Sequence, residues 1–382
     1  MLYADFHTHS QYAYAVSKKN NVQGFYESSL KKGLGLVSTG DALHPEHWKE
    51  LDKLIEINNT GLYTIQGKPE VKFVFGGEVS LFFKHEEKQK KIHLCFLSPS
   101  KTEVESLKDE LKEYNLKSDG RPILKISVHD FCSKLFKISE EFTVFPAHVW
   151  TPWFGILGEK SGFNNLKDAF QEYEPLIKSI EMGMSSDCEM NSRIPFLESK
   201  KFLANSDAHS LDLVRWGREC NAFTKLESYH NLQKSFELNS TEFSYVVKVD
   251  PAYGRYHYCG HKGCGYSQES QGICPKCGKP LIRGVASRVD ELSDKVERKV
   301  QKNFKILPLK EVIALALNKK SSSKIVEKEH EKLLKENNEL NWLLEAKIEG
   351  DNKISKMILL NRQGKIKFKP GYDGLYGIPF ML

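Results

Sequence analysis

Nine side chains able to bind a metal fall just behind short apolar runs in the first 210 residues. His7 and His9 sit two apart in "DFHTHS", so on an extended backbone both point the same way. Asp41 and His44 lie in "TGDALHP", Glu78 in "GGEVS", His93 in "KIHLCF" and His148 in "PAHVW". Asp207 and His209 close the series in "NSDAHS", again two apart and same-facing. Converging imidazoles and carboxylates can hold divalent cations and leave a position open for water, as metal-assisted hydrolysis requires. A solitary histidine is more often structural than a ligand, and His47, His85, His129 and His230 are read that way. The ordered series is read instead as one polynuclear site.

A second cluster has different chemistry. Cys259, Cys264, Cys274 and Cys277 are separated by four, nine and two residues, in the knuckles "CGHKGCG" and "CPKCGK". Four closely grouped thiols in a chain with no secretory signal predict one structural zinc. His257 and His261 flank the group, but four cysteines already fill a tetrahedral site. Cys95, Cys132, Cys188 and Cys220 are scattered and read as reduced, half-buried thiols.

Residues 1–245 alternate short β-like runs with helical patterns, and most of the polar candidates end a strand. That order predicts an α/β fold with a mostly parallel sheet or barrel, whose active face lies at the C-terminal strand ends. Helices are expected over "VQGFYESSLKKG", "HPEHWKELDKLIEINN", "TEVESLKDELKEY", "SVHDFCSKLFKIS" and "NNLKDAFQEYEPLI". Residues 246–285 form a Gly-, Cys- and Tyr-rich zinc unit. Residues 286–382 turn helical and basic: "VDELSDKVERKVQKNF", "LKEVIALALNK" and "SKIVEKEHEKLLKENNELNWLLEA" read as helices, with "NKKSSSK" as a joint. The tail "RQGKIKFKPGYDGLYGIPF" reads as a turn-rich hairpin.

The chain carries a net charge of +6 over 382 residues. Residues 1–245 hold 30 Lys and Arg against 34 Asp and Glu, a net of −4, and residues 246–382 hold 26 against 16, a net of +10. A basic second part suggests a polyanionic partner, most simply nucleic acid. Arg255, Lys262, Lys276, Lys279 and Arg283 around the cysteines are candidates for a phosphate backbone. No apolar run is long enough for a membrane span and no signal peptide is read, so a cytoplasmic, nucleoid-associated protein with no membrane partner is expected.

The order HxH, Asp41 with His44, GxE, His93, His148 and DxH resembles the polymerase and histidinol phosphatase (PHP) superfamily over residues 1–245. The resemblance implies a distorted (βα)7 PHP barrel with two to three divalent metals (zinc, manganese or magnesium) at its mouth. The implied ligands are His7, His9, Asp41, His44, Glu78, His93, His148, Asp207 and His209. Glu78 is the bridging carboxylate in that reading, and Glu78, Asp207 and His209 are the catalytic residues. The superfamily commonly has Asp directly followed by His, whereas Asp41 and His44 are separated by two residues.

The PHP-like part, the four-cysteine unit and the basic helical end together resemble the endonuclease Q family. The motifs carrying this are "DFHTHS", "PAHVWTPWFGILGEKSGF", "SIEMGMSSDCEMNSR", "NSDAHS", the knuckles and "PGYDGLYG". The resemblance implies a DNA repair endonuclease that cuts 5′ to deaminated bases (uracil, hypoxanthine, xanthine) or abasic sites. Candidates for DNA or base contact are Tyr12, Trp150, Trp153, Phe154, Gly183, Ser185, Ser186, Asp187 and Arg193. The alternative is a small-molecule phosphoesterase of the histidinol-phosphatase type, which needs neither the zinc unit nor the basic end. No clear motif supports a replication-clamp contact.

Overall fold

The computed structural model describes residues 1–294 and 296–381. The strand Leu2–Asp5 is central. It pairs parallel with Leu36–Ser38 and antiparallel with Cys220–Phe223. The sheet then runs outward to Lys68–Val74, Tyr63–Ile65 and Leu54–Glu56 on one side, and to Phe243–Lys248 and Asn303–Lys305 on the other. A second sheet of four strands is built on the hairpin Gly76–His85 and Lys88–Leu97, flanked by Ile123–Leu124 and Thr143–Pro146. Ser179–Glu181 and Lys201–Leu203 form a parallel pair.

This is a mixed α/β fold rather than a mostly parallel sheet, and the reason is local. Lys68–Val74 passes into Gly76–His85 with no intervening helix. The next hairpin turns on Glu86 and Glu87, both left-handed at φ 46° and 60°, and a two-residue turn of that kind forces antiparallel return.

Helices form where caps and periodicity agree. Val22–Lys32 starts on an Asn21 side-chain cap and ends on Gly33 at φ 96°. Val128–Ile138 carries a capping box between Ser127 and Asp130. Four expected helices differ. Residues 164–177 give only the single turn Lys167–Phe170 and the 3-10 stretch Gln171–Leu176, which contains Pro175. Residues 44–59 give only Pro45–His47 and Trp48–Leu51 before the strand Leu54–Glu56 begins. Helix over 289–304 is confined to Val285–Leu292, and Asn303–Lys305 instead joins the main sheet beside Phe243–Lys248; Lys295 lies outside the described residues. The segment 323–346 is two helices, Lys324–Leu334 and Glu339–Leu344, because Asn338 caps a new start. The tail does form a hairpin, Lys367–Lys369 with Ile378–Phe380.

One apolar core runs from Tyr3 to Ile366, so the C-terminal helices share the core of the first sheet; Cys259, Cys274 and Leu281 form a small separate cluster. A buried ionic knot ties the two ends of the chain. Lys32 Nζ donates to Glu339 Oε1 at 2.7 Å and to the Leu213 carbonyl at 2.9 Å. His330 Nε2 lies 3.0 Å from the other Glu339 oxygen, and Leu309 N donates to Oε1 at 3.2 Å. Lys32 is 1% and Glu339 0% exposed, so neither charge has water to fall back on. Glu339→Ala strands the Lys32 ammonium and is expected to cost about 3–5 kcal/mol of stability in urea unfolding. Glu349→Ala, at the exposed Lys347 pair, is the control and is expected to cost about 0–1 kcal/mol.

Candidate metal centre and its cleft

Five segments deliver their polar side chains to one point. The strand Leu2–Asp5 runs into His7 and His9, and the Asp5 carboxylate accepts from the backbone of His7 (3.2 Å) and of Ser206 (3.1 Å). One buried carboxylate therefore sets the HxH segment against the segment that carries Asp207. Glu78 lies early in its strand and faces His93 on the neighbouring strand of the same hairpin. His148 comes just after the strand Thr143–Pro146. Asp41, His148 and Asp207 all have left-handed backbones, at φ 46°, 30° and 47°. Such conformations are costly for these residue types and persist where surrounding structure fixes them.

The ligand atoms form two groups that share Glu78. His7, His9, Glu78 and Asp207 have ligand atoms within 4.8 Å of one another, and so do Glu78, His93 and His148. Glu78 Oε2 lies 3.4 Å from His7 Nε2 and 3.3 Å from His9 Nε2. Glu78 Oε1 lies 2.7 Å from His93 Nδ1 and 3.4 Å from His148 Nε2. Asp207 Oδ1 stands 3.1 Å from His9 Nε2 and 3.5 Å from His7 Nε2. Despite this crowding, His7 Nε2, Glu78 Oε1 and His93 Nδ1 are buried and make no hydrogen bond of acceptable geometry. Buried polar atoms are nearly always satisfied, so this group of orphans around one carboxylate fits a divalent cation.

Other carboxylates orient the imidazoles from behind. Glu181 Oε2 takes His7 Nδ1 at 2.9 Å and Asn205 Nδ2 at 3.0 Å, while its other oxygen accepts from His148 N at 3.0 Å. Asp41 Oδ1 takes His9 Nδ1 at 3.0 Å, and its Oδ2 accepts from the backbone and hydroxyl of Ser10, both at 2.6 Å. Such partners fix which ring nitrogen is left to face a metal. Burial would raise the Glu78 carboxyl, but His93, Arg121 and His7 outweigh it and hold it well below the usual carboxylate range. Burial brings His93 down to about 4, against the pull of Glu78, which keeps the imidazole neutral and able to ligate.

The structure sorts the candidate ligands by distance from Glu78. His7, His9, Glu78, His93, His148 and Asp207 meet in the two groups. His209 stands beside them: its ring is 4.4 Å from that of His9, and its Nδ1 donates to the Asp207 carbonyl at 3.0 Å. Asp41 sits behind His9. His44 is turned away, with Nε2 3.3 Å from the Lys117 carbonyl and its ring stacked on Tyr12 at 4.5 Å. Two further residues of the site are absent from the expected ligand set. Glu181 ends its strand in "SIEMG", which was a signal; Arg121, in "SDGRP", offered none. Arg121 Nη1 lies 3.1 Å from Glu78 Oε2. Its loop sits so close to Asp41 that a Cβ on Gly120 would fall 2.4 Å from Asp41 Oδ2.

A cleft of about 490 Å³ opens onto the centre, lined by His93, His148, Asp207 and His209 and by Trp150, Phe154, Gly183 and Ser185. Phe154 stacks on His93 at 4.4 Å. Trp150 is 2% exposed and donates its indole N–H to Asn191 at 2.8 Å, so it buttresses the wall. Ser186, Asp187 and Arg193 hold the loop itself: Ser186 bonds the Met182 carbonyl, Asp187 caps Cys188–Ser192 and pairs with Lys305, and Arg193 pairs with Asp290. Trp153 packs edge-on to Tyr256.

In the zinc unit the four converging residues are His261, Cys264, Cys274 and Cys277. His261 Nδ1 lies 3.2 Å from Cys264 Sγ and 3.3 Å from Cys277 Sγ. Cys259 lies outside that group but packs with Cys274 in the same small core: it is fully buried, its thiol donates to the Glu269 carbonyl at 3.4 Å, and it accepts from Gly284 N at 3.2 Å. The knuckle spacing points to Cys259, which lies two residues from His261 in the short strand Cys259–His261 that pairs with Tyr266–Gln268.

No protein-family model matches the chain. Aligned over 374 residues, it is 27% identical to the uncharacterised protein YqxK of Bacillus subtilis, covering 92% of this chain and 90% of that one. It is 32% identical over 250 residues to an uncharacterised protein of Methanocaldococcus jannaschii, and that match spans 60% of the chain but only 31% of the relative. Among solved structures it superposes on the lesion-specific endonuclease PfuEndoQ of Pyrococcus furiosus with a TM-score of 0.87 and 29% identity, covering 100% of this chain and 95% of that one. A complex of endonuclease Q with a 27-mer duplex carrying an abasic lesion at the active site matches with a TM-score of 0.86 and 28% identity, covering 100% and 96%. Over its whole length the chain is similar to endonuclease Q. The endonuclease Q likeness thus runs through the metal-centre part, the zinc unit and the C-terminal helices alike.

Zinc content should report which residues hold the small cluster. His261→Ala is expected to lower the zinc of the purified protein by about one ion per chain, whereas Cys259→Ser keeps it, read by elemental analysis. Loss of zinc in Cys259→Ser alone would contradict the arrangement.

Proposed function

We propose that this chain is a metal-dependent DNA repair endonuclease that hydrolyses the phosphodiester 5′ to a deaminated base or an abasic site. The observation that carries the reading is the placement of a cleft of about 490 Å³ directly on a histidine centre gathered around one carboxylate. The full-length likeness to a lesion-specific endonuclease supports the choice of DNA over a small phosphate ester. The net charge of +10 in residues 246–382 supports it too, since a small-molecule phosphoesterase has no use for it. The separate sheets are read as an opened (βα)7 ring, in which an isolated bridge from Thr8 to Ala208 joins the segment after Leu2–Asp5 to the segment after Lys201–Leu203.

His7, His9, Glu78 and Asp207 would hold one divalent metal, and Glu78, His93 and His148 a second, with zinc, manganese and magnesium all compatible with such donors. When bound, such metals supply Lewis acidity: a more acidic water and neutralised phosphate charge. The chain's own groups do the rest. Arg121, the cation beside Glu78, faces the negative charge that gathers on the scissile phosphate. His209 spends Nδ1–H on the Asp207 carbonyl, so Nε2 is the nitrogen left to take up a proton. Phe154 and Trp150 exclude water from one wall. Ser185 and Gly183 present the loop edge at which an extruded base is read. Uracil and hypoxanthine carry a carbonyl where cytosine and adenine carry an amino group. A backbone N–H there donates to that carbonyl and opposes the amino group.

The direct test is a labelled duplex with one uracil, hypoxanthine or abasic site, incubated with protein and manganese or magnesium. A nick on the 5′ side of the lesion is expected, with an undamaged duplex left whole. Asp207→Ala is expected to lower the nicking rate at least about 100-fold while still binding the lesion duplex. Failure to cut any of the three duplexes would overturn the reading.

A further inference from the structure

The cleft has a far wall that the metal chemistry does not use, and the C-terminal hairpin builds it. Gly371 N donates to the Ala252 carbonyl at 2.8 Å, Tyr258 N to the Gly371 carbonyl at 3.0 Å, and Gly377 N to the Tyr253 carbonyl at 3.0 Å. A Cβ on Gly371 would fall 2.2 Å from the Gly254 carbonyl oxygen, and one on Gly377 2.0 Å from that of Ala252. Backbone meets backbone so closely that only glycine fits at either place. This explains two glycines of "PGYDGLYG" and brings Tyr376 beside Arg255, far away in sequence.

Arg255 is held from two sides. Its guanidinium carbon lies 5.2 Å from the centre of the Tyr376 ring. Its Nε donates to the Gly374 carbonyl at 2.8 Å, and Gly374 N returns a bond to the Arg255 carbonyl at 3.0 Å. Both Arg255 and Tyr376 line the same cleft as His148 and Asp207. Arg193, Arg283 and Arg298 nearby in sequence or fold are spent on carboxylates, and of the arginines that line the cleft with Arg255, Arg121 pairs with Glu78 and Arg218 donates to the Ser206 carbonyl, while Arg215 is also exposed there. Arg255 is exposed, and among the described residues no carboxylate pairs with it.

We propose that Arg255, stacked on Tyr376 and pinned by Gly374, grips a backbone phosphate of the DNA strand lying in the cleft. This rests on the endonuclease reading above. With Nε committed to a carbonyl, the two terminal amino groups form the fork that suits a phosphate. The stack orders the side chain before DNA arrives, so less freedom is lost on binding. The hairpin then serves as a clasp that positions a substrate-binding cation from the far end of the chain.

The experiment measures binding by fluorescence anisotropy, with an abasic duplex and the Asp207→Ala protein as parent, between about 50 and 200 mM salt. Arg255→Ala in that parent is expected to weaken binding about tenfold and to flatten the slope of log affinity on log salt by about 1. Arg255→Lys keeps the charge and is expected to keep the slope while recovering only part of the affinity. Tyr376→Ala is expected to weaken binding less, and to add little on top of Arg255→Ala, because the two act as one unit. Unchanged affinity and slope in Arg255→Ala, with an unchanged melting midpoint, would overturn the proposal. If the parent itself does not prefer the abasic duplex to an undamaged one, the endonuclease reading fails and the Arg255 reading with it.

Discussion

The buried carboxylate of Glu78 is the constraint around which the rest of this structure is arranged. It faces four imidazoles and one guanidinium with almost no water: His7, His9, His93, His148 and Arg121 all lie within 3.4 Å of one of its oxygens. A charge in that position is costly unless it is compensated. Compensation by histidine protonation competes with the burial of the same histidines: burial wins at His93, while the surrounding carboxylates outweigh burial and raise His7, His9 and His148. Divalent cations would resolve the conflict, because they satisfy the carboxylate and neutral imidazoles together. The left-handed backbones of Asp41, His148 and Asp207 and the carboxylates behind His7 and His9 all serve to hold ligands at fixed places around that one group.

Most of this centre was legible in the order of residues along the chain. His7, His9, Asp207 and His209 stood out because spacing by two puts side chains on one face, and Glu78 and His148 because they end or succeed apolar runs. Pattern alone does not divide a metal-facing residue from the partner behind it. Asp41 and Glu181 are both acids beside a strand end, and both turn out to sit behind a histidine. Arg121 was invisible, since a lone arginine in a turn has no spacing to betray it. Cys259 and His261 pose the same problem: both lie in one short strand beside the other thiols, and spacing does not say which would complete a site with them.

The fold was legible where local preference and tertiary packing agree, as in Val22–Lys32 with its Asn21 and Gly33 caps. It was misread where they compete. Residues 289–304 look helical by charge spacing, but the sheet edge at Phe243–Lys248 recruits Asn303–Lys305 as a strand. The same competition makes the basic C-terminal part less separate than its charge suggests. It contributes a strand to the main sheet, the Glu339 knot to the first helix, and the hairpin that carries Tyr376 to the cleft.

The central proposal is that the Glu78 carboxylate would help to hold two divalent ions, one with each group of ligands, and anomalous diffraction from crystals grown in manganese tests it most directly. Two anomalous peaks are predicted to flank the Glu78 carboxylate, one beside His7, His9 and Asp207 and one beside His93 and His148. A fully occupied centre whose ions leave Glu78 uncoordinated, or that holds a single ion away from it, would contradict the claim.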